Sequence, residues 1–425
     1  MTNKLALAIR RGLSNASLRL ASPKAVKTLS RLLPLSGGKN PPSGVEAARS
    51  IVIVRSDGVG DLVLMSPFLR ELRRSNPSAW ITLVVDSKFL NLVELCPHVN
   101  EVLGFDLTYS GRAVDPALVF RALRLSRLHL KPRRFDLALV PRWDADFYHS
   151  TYVARFSGAA CRVAYSENVD PYKRAVNRGF DLLYTRTLDD RICKHELERN
   201  LDFLRAVGGA VANDKLELWL SDEDREAAKR ALLSRGVGRE DPLICLAVGA
   251  GQPKRMWPLD RFVKLGRELQ RENGARFVAL GGPEDRDRGS RLAMELGPSA
   301  INLAGGLTLR QTTAVLETAA LVIANDSGPM HLAAAAGAAV LEISCHASSG
   351  DPNHRNSPAR FHPWSKEYAV VQPARPSEPC TKGCESDEAH CILGVTVEMV
   401  QEAAKGLLAK RQRENSARRD VRSAT

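Results

Sequence analysis

The sequence predicts an α/β protein made of two doubly wound domains, each built on a parallel sheet. Its 425 residues are enough for two or three domains. Short apolar runs alternate with helical patterns in two successive series, one starting near residue 50 and the other near residue 242. Because short connections between alternating strands and helices imply right-handed crossovers, the strands of each series should be parallel.

The first series contains five apolar runs of strand length, separated by helical patterns. The expected strands are 50–55, 80–85, 100–105, 135–140 and 161–165, and the expected helices are 61–75, 87–96, 115–130, 145–158 and 194–207. The second series follows a polar helix at 221–235. Its expected strands are 242–248, 275–281, 300–303, 320–324 and 339–344, and its expected helices are 258–272, 284–296, 308–318 and 329–336.

These patterns divide the chain into four parts. A basic extension and linker, 1–49, precedes an N-terminal domain at 50–215. A second domain covers 216–395, and a C-terminal helix with a basic tail covers 396–425. We expect the two central domains to face each other across a cleft.

Positive charge is concentrated at the two ends of the chain. The net charge is +13, of which residues 1–49 hold +8 and residues 405–425 hold +5, so that the rest is neutral. A neutral central part argues against a nucleic-acid groove, whereas basic ends suit an anionic membrane surface. The N-terminal segment could lie flat on a bilayer or remain a solvated tail, and a transit peptide ranks third.

The compartment can be inferred from the apolar runs and the cysteines. No stretch approaches the length of about 20 apolar residues that a membrane span needs, and the first apolar run is too short for a secretory signal. Five of the eight cysteines are scattered singly, as is typical of reduced thiols. We therefore expect a cytoplasmic protein.

The segment 321–344 carries the most informative pattern. A buried strand ends at Ala324, and the stretch from Asn325 to Gly328 leads into a helix opened by Pro329. Ser and Pro at these positions are typical of a helix start. The N–H groups at such a terminus bind anions, phosphate above all, and this end of a parallel sheet is where ligands bind.

The loop after the first strand has a similar form. Gly58 and Gly60 would let a ligand approach the backbone, and Asp61 starts the next helix. Asp61 is either an acid stabilised by the helix dipole or a general base at the mouth of the cleft. The loop lacks the G-x-G-x-x-G spacing of a dinucleotide site, so NAD binding is not supported.

Two loops of the second series could complete a nucleotide site. Gly249 begins a stretch of small residues that ends in Lys254 and Arg255, which is either a diphosphate clamp or a solvated basic loop. Glu284 follows the strand 275–281 and could accept hydrogen bonds from ribose hydroxyls or merely cap a helix.

One cysteine cluster lies near the C-terminus. Cys380, Cys384 and Cys391, with His390 beside the last, could hold zinc. The spacing differs from the usual C-x2–4-C pairs of structural zinc sites, so reduced structural thiols are the alternative that we favour.

Four of these loops together resemble one family, glycosyltransferase family 9, which contains the ADP-heptose:lipopolysaccharide heptosyltransferases. The motifs are 55–67, 249–258, 280–285 and 325–337. The turn at 303–305 and the late cysteine cluster resemble the family as well. The resemblance covers about residues 50–400.

The resemblance implies the GT-B fold, with two Rossmann-like domains, and an inverting, metal-independent sugar transfer. Asp61 would be the base, Lys254 and Arg255 would bind the diphosphate, and Glu284 would contact the nucleoside. The donor sugar and phosphates would be lined by Asp326, Ser327, Gly328, Met330 and His331. The loops that line the cleft would contain Gly58, Gly60, Gly249 and Gly305.

The function implied is transfer of a heptose or related sugar from an ADP-sugar to a lipopolysaccharide core or similar glycan, at the inner face of the inner membrane. No cofactor is expected besides the nucleotide-sugar co-substrate, and no metal. The expected partners are a lipid-linked oligosaccharide and an anionic membrane surface, not nucleic acid. The alternatives are another nucleotide sugar or glycan, an epimerase or hydrolase on the same fold, and a non-catalytic membrane-associated binding protein.

Overall fold

A computed structural model of the chain describes residues 44–108, 111–238, 242–380 and 386–423. The described chain forms two compact units. The first consists of residues 44–192 and Leu197–Lys215, and the second consists of Cys193–Glu196 and the residues from Leu216 onward. Each unit carries one six-stranded parallel sheet. The α/β fold class with two doubly wound domains is thereby confirmed.

The sheet of the first unit has the strand order β3-β2-β1-β4-β5-β6. Its strands are β1 Ser50–Val54, β2 Trp80–Asp86, β3 Glu101–Phe105, β4 Leu137–Val140, β5 Cys161–Tyr165 and β6 Arg186–Leu188. The order reverses direction between β1 and β4, which pair in parallel. Ligands of such sheets bind beyond the carboxyl ends of the strands at this reversal.

Helices alternate with these strands along the chain. They are α1 Val59–Leu64, α2 Ser66–Ser75, α3 Leu90–Val93, α4 Pro116–Leu125, α5 Ser150–Phe156, α6 Pro171–Val176 and α7 Glu196–Ala206, of which Glu196 belongs to the second unit. The helix expected at 61–75 is broken at Met65. Pro67 cannot donate to the Val63 carbonyl, and the Ser66 hydroxyl does so instead at 2.7 Å.

The sheet of the second unit has the order β12-β11-β10-β7-β8-β9, which is the same topology. Its strands are β7 Leu243–Ala247, β8 Arg276–Leu280, β9 Ala300–Asn302, β10 Leu321–Asn325, β11 Val340–Ile343 and β12 Tyr368–Val371. Its helices are α8 Asp222–Leu233, α9 Leu259–Asn273, α10 Arg286–Leu296, α11 Leu309–Leu316, α12 Gly328–Ala335, α13 Pro358–Phe361 and α14 Val397–Ser423. The reversal here lies between β7 and β10.

The structure differs from the sequence expectations mainly at the edges of the sheets. Both β6 and β12 are edge strands that the apolar pattern did not reveal. Arg186 and Thr187 of β6 are exposed, so this strand lacks the continuous apolar run of a central one. Short polar edge strands are common because they discourage pairing with other chains.

The division into domains also differs in two places. Cys193–Glu196 belong to the second unit, although they fall inside the range expected for the first. The helix α14 is part of the second unit, because Val397, Val400 and Ala404 lie in its apolar core with β7 and α9. The residues from 396 onward therefore do not form a part separate from the second domain.

The expectations for the N-terminal extension fall on residues 1–43, which lie outside the described residues. Among the residues that are described, we find no helix with both the length and the apolar character needed to cross a bilayer.

Candidate functional site

The reversal point of the first sheet is organised around Arg55, which directly follows β1. Its side chain is only 2% exposed, and its guanidinium contacts Asp57 at 2.7 Å and Asp61 at 2.8 Å. It also donates to the Pro141 carbonyl, just beyond β4, at 2.5 Å and to the Asn200 side chain at 3.2 Å. The arginine thus links the ends of β1 and β4 and orients the acid at the start of α1.

Asp61 is the accessible acid of this group. Its side chain is 26% exposed, and its second oxygen accepts the Gly58 N–H at 3.2 Å. Gly60 lies in the first turn of α1 beside it. Both oxygens of Asp61 are therefore oriented, yet each keeps a lone pair for a further hydrogen bond. This is the geometry that a general base needs.

Asp57 lies beside Asp61 in a different environment. Burial raises the pKa of Asp57 to about 6, although Arg55 and Arg142 act to lower it. Arg142 forms an ion pair with Asp57. Sequence reasoning singled out Asp61 and passed over Arg55 and Asp57. The available signal was two opposite charges, Arg55 and Asp57, just after the apolar run Ile51–Val54.

The reversal point of the second sheet lies at the start of α12. Ser327 precedes this helix in an extended conformation, and within the described residues its side chain makes no cap bond to the helix. Its hydroxyl donates to the Asn325 carbonyl at 3.1 Å instead. Gly328 is the first helical residue and is half-buried. No described side chain therefore caps the first turn, although the Met330 N–H donates to the Ser327 carbonyl at 3.1 Å, and a helix start without a side-chain cap favours an anion at this position.

Asn325 connects this helix start to the loop after β7. Its side-chain amide donates to the Gly249 carbonyl at 3.2 Å and accepts the Trp257 N–H at 3.0 Å. The loop that contains Lys254 and Arg255 is therefore held against the end of β10. The structure brings the predicted phosphate-binding elements of this unit together.

The two predicted cations differ in their surroundings. Arg255 contacts Asp326 at 3.3 Å and donates to the Asn356 side chain at 2.6 Å. Lys254 is 7% exposed and lies close enough to His354 to lower the pKa of that imidazole. The pKa of His354 falls to about 4, first through burial and then through His346 and the nearby cations.

Glu284 lies on a turn formed by three packed loops. Asp285 accepts the Gly282 N–H at 3.0 Å, and Gly305 donates its N–H to the Gly281 carbonyl at 3.0 Å. The Glu284 side chain is exposed. A side chain at Gly249 would collide with Asp285, since the Cβ would lie 1.8 Å from a carboxylate oxygen. Glycine at this position therefore lets the loops after β7 and β8 meet.

Two of the predicted donor-site residues, Met330 and His331, are buried. The Met330 side chain is fully buried, and His331 is 5% exposed. Only the backbone of Met330 can therefore face a ligand directly, and its N–H already donates to the Ser327 carbonyl at 3.1 Å. Sequence reasoning instead missed Glu342 on β11, which is 1% exposed. Burial, followed by the nearby Asp326, raises the pKa of Glu342 well above its usual value.

The cysteine cluster lies shortly before α14, and the short turn Cys391–Gly394 lies next to the turn Pro253–Arg255. The ligand atoms of Cys380, His390 and Cys391 lie within 4.8 Å of one another. Cys384, the fourth candidate, lies outside the described residues. Three of the four predicted ligands are thus brought together.

Comparison with known proteins identifies the family to which the chain is similar. The family model described as glycosyltransferase family 9 (heptosyltransferase) matches residues 126–390. The chain is 22% identical over 331 residues to the lipopolysaccharide core heptosyltransferase OpsX of Haemophilus influenzae, covering 78% of this chain and 86% of that protein.

Solved structures show the same fold. A glycosyl transferase family 9 structure from Veillonella parvula has a TM-score of 0.69 and 22% identity, covering 88% of this chain and all of the other (100%). The ADP-heptose lipopolysaccharide heptosyltransferase II of Escherichia coli has a TM-score of 0.63 and 21% identity, covering 85% and 99% of the two chains. The GT-B heptosyltransferase fold, with its two Rossmann-like domains, is thereby confirmed.

Proposed function

This chain belongs to glycosyltransferase family 9, and from that premise we propose that it transfers a heptose or related sugar from an ADP-sugar to a hydroxyl of a lipopolysaccharide core or similar glycan. The similarity to a lipopolysaccharide core heptosyltransferase and to an ADP-heptose lipopolysaccharide heptosyltransferase supports the sugar and acceptor classes. The observation that carries the proposal is the start of α12, which no described side chain caps and beside which Asn325 binds the loop that leads to Lys254 and Arg255.

The second unit binds the donor in this proposal. The diphosphate of the ADP-sugar lies at the start of α12, where the helix dipole favours negative charge. Lys254 neutralises the charge that develops on the departing diphosphate. Arg255 contacts the same loop through Asp326, which orients its guanidinium. Glu284, exposed on its turn, accepts hydrogen bonds from the ribose hydroxyls.

The first unit supplies the base. Asp61 takes the proton of the acceptor hydroxyl, whose oxygen attacks the anomeric carbon from the face opposite the diphosphate. The bond from that carbon to the diphosphate oxygen breaks, and ADP leaves with the electron pair, so the anomeric configuration inverts. Arg55 and the Gly58 N–H hold the carboxylate in one orientation throughout. No metal is needed for this step, because cations and helix N–H groups stabilise the leaving group.

The acceptor and the site of action follow from the same proposal. A lipid-linked core oligosaccharide is presented at a membrane surface, and the basic ends of the chain suit an anionic one. We propose peripheral association with the inner face of the inner membrane.

The decisive experiment combines nucleotide binding with removal of the base. Thermal stabilisation of the wild type is measured with ADP, UDP, GDP and CMP, and ADP should stand out. A ligand at 100 times its Kd stabilises the folded state by about 2.7 kcal/mol. Asp61→Asn should lose about 10²- to 10⁴-fold in transfer to a lipid acceptor, the usual contribution of a general base, and keep the stabilisation by ADP.

The matched control is Asp106→Asn, which changes an exposed acid of the same unit and should transfer sugar normally. If only UDP or only GDP stabilises the protein, the donor sugar carries that nucleotide and not ADP. Consumption of the donor without an acceptor would instead indicate an epimerase or hydrolase. Full transfer by Asp61→Asn would refute the assignment of the base.

A further inference from the structure

A cluster of sulfur and imidazole groups precedes α14 in the second unit. The Cys380 thiol lies 3.8 Å from the His390 Nδ1, and the Cys391 thiol lies 3.3 Å from the His390 Nε2. Cys380 and Cys391 are 5% and 7% exposed, and neither is in a disulfide with another described cysteine. We propose that Cys380, His390 and Cys391 bind a Zn²⁺ ion, which stabilises the segment leading into α14.

The separation of these atoms suits the ion. With Zn–S and Zn–N bonds of about 2.3 and 2.05 Å, tetrahedral geometry sets ligand atoms roughly 3.6 to 3.8 Å apart. The Cys380 to His390 Nδ1 distance of 3.8 Å is already in this range. All three ligand atoms lie within 4.8 Å of one another, so the remaining adjustment is about an ångström, which side-chain rotation supplies.

The hydrogen bonds around the cluster are those of a metal site. The His390 Nε2 lies 3.0 Å from the Ser377 carbonyl, to which it donates when it carries the ring proton. That bond leaves the Nδ1 lone pair available for a metal, as in sites where a ligating histidine donates its other N–H to a carbonyl. The Ser377 N–H also donates to the Cys391 sulfur at 3.4 Å, which favours the thiolate.

The chemistry of the ligands selects the metal. Two thiolates and an imidazole are soft donors that suit Zn²⁺ rather than Mg²⁺ or Ca²⁺. Binding converts the two thiols to thiolates and releases their protons. The fourth position is taken by water or another group. Cys384 lies outside the described residues, and the proposal does not depend on it.

The position of the cluster predicts a structural role. The turn that begins at Cys391 leads to Val395, whose carbonyl accepts the Trp257 indole N–H at 2.9 Å. Trp257 is fully buried and donates its backbone N–H to Asn325, next to the start of α12. A metal at the cluster would therefore support the loop of Lys254 through Val395 and Trp257.

The test measures metal in the full-length protein, purified under reducing conditions without chelators from zinc-supplemented cells. Elemental analysis should find about one zinc per chain. Cys380→Ser and Cys391→Ser should each reduce this to about a tenth of the wild-type content. Cys161→Ser is the matched control, because this half-buried cysteine lies in the first unit and should leave the zinc content unchanged.

A second measurement on the wild type guards against misfolded variants. Replacement of the ion by Co²⁺ should produce thiolate charge-transfer absorption and the visible bands of a tetrahedral site, and a chelator should lower the Tm. Zinc that persists in both serine variants would refute the ligand assignment. Zinc below about a tenth of an equivalent in the wild type, without cobalt–thiolate bands, would refute the site. Stoichiometric iron lost in the same variants would keep the ligands and refute zinc.

Discussion

At the scale of single residues, acids of the second unit lie close together where β10 and β11 end. Asp326 contacts Arg255, whereas the buried Glu342 has one oxygen without a hydrogen-bond partner among the described residues. A second negative charge next to Asp326 would be costly in this low-dielectric environment. Burial and the Asp326 charge together raise the pKa of Glu342, so the folded state favours its neutral form.

We expect Glu342→Gln to raise the Tm at pH 7.5, because glutamine resembles the neutral carboxyl. A carboxyl with a raised folded-state pKa stabilises the protein fully below its unfolded pKa of about 4.3 and loses this contribution as pH rises. The gain in Tm of the variant should therefore be small near pH 4.5 and grow toward pH 7.5. Thermal unfolding across this range measures it.

The control for this prediction is Glu226→Gln, which changes an exposed glutamate of the same unit and should alter the Tm little at any of these pH values. A Tm difference for Glu342→Gln that stays constant with pH, or a lower Tm at pH 7.5, would show that Glu342 is ionised in the folded protein.

At the scale of elements, two glycines of the second unit have the same left-handed backbone conformation but different surroundings. Gly305 has φ +66° and ends the turn after β9, whereas Gly337 has φ +77° and follows α12. A Cβ at Gly305 would lie 2.7 Å from the Pro283 Cα, but at Gly337 no described atom lies within 4 Å. Only the turn at Gly305 therefore requires glycine for space as well as for φ.

We expect Gly305→Ala to destabilise the protein more than Gly337→Ala. Each alanine carries a strain of about 1–2 kcal/mol from its left-handed backbone. Gly305→Ala adds about 1–3 kcal/mol, because the clash with Pro283 must be relieved by backbone movement. Urea unfolding of the two variants measures the difference, and Gly337→Ala is the matched control.

The same pair of variants tests the link between this turn and the nucleotide. Because Pro283 and Glu284 share the turn, Gly305→Ala should also weaken binding of ADP, whereas Gly337→Ala should not. Equal losses of stability in the two variants would show that the turn relaxes without strain.

At the scale of the whole molecule, positive charge is concentrated at the two ends of the sequence. Residues 1–43 hold eight lysines and arginines and no acid. Each cation near an anionic bilayer contributes about 1 kcal/mol of binding. Val45 is fully buried and donates its N–H to the Val207 carbonyl at 2.9 Å. A deletion intended to remove charge without disturbing the first unit should therefore end at residue 43.

We expect the full-length protein to sediment with anionic vesicles at low salt, and to be released as salt rises from about 0.1 M to about 1 M, since the Debye length falls from about 10 to 3 Å. Deletion of residues 1–43 should remove most of this binding. Neutral phosphatidylcholine vesicles are the control and should bind neither protein. Binding that is indifferent to both salt and the deletion would contradict an electrostatic attachment.

Local signals explain what the sequence by itself determined. Central strands of a parallel sheet are buried on both faces, so β1, β7 and β10 read as continuous apolar runs. Helix starts are also marked locally, by glycine, serine and proline. The alternation of these signals established the two doubly wound domains, and the loop motifs between them pointed to the glycosyltransferase family.

Contacts between distant residues were decided only by the tertiary structure. The pairing of Arg142 with Asp57 joins residues 85 positions apart, and no local pattern encodes it. The edge strands β6 and β12 are defined by hydrogen bonds to a neighbour rather than by an apolar run of their own. The raised pKa of Glu342 likewise depends on burial and on Asp326, which lies at the end of another strand. Such properties arise from the surroundings of a side chain, and these exist only after the chain has folded.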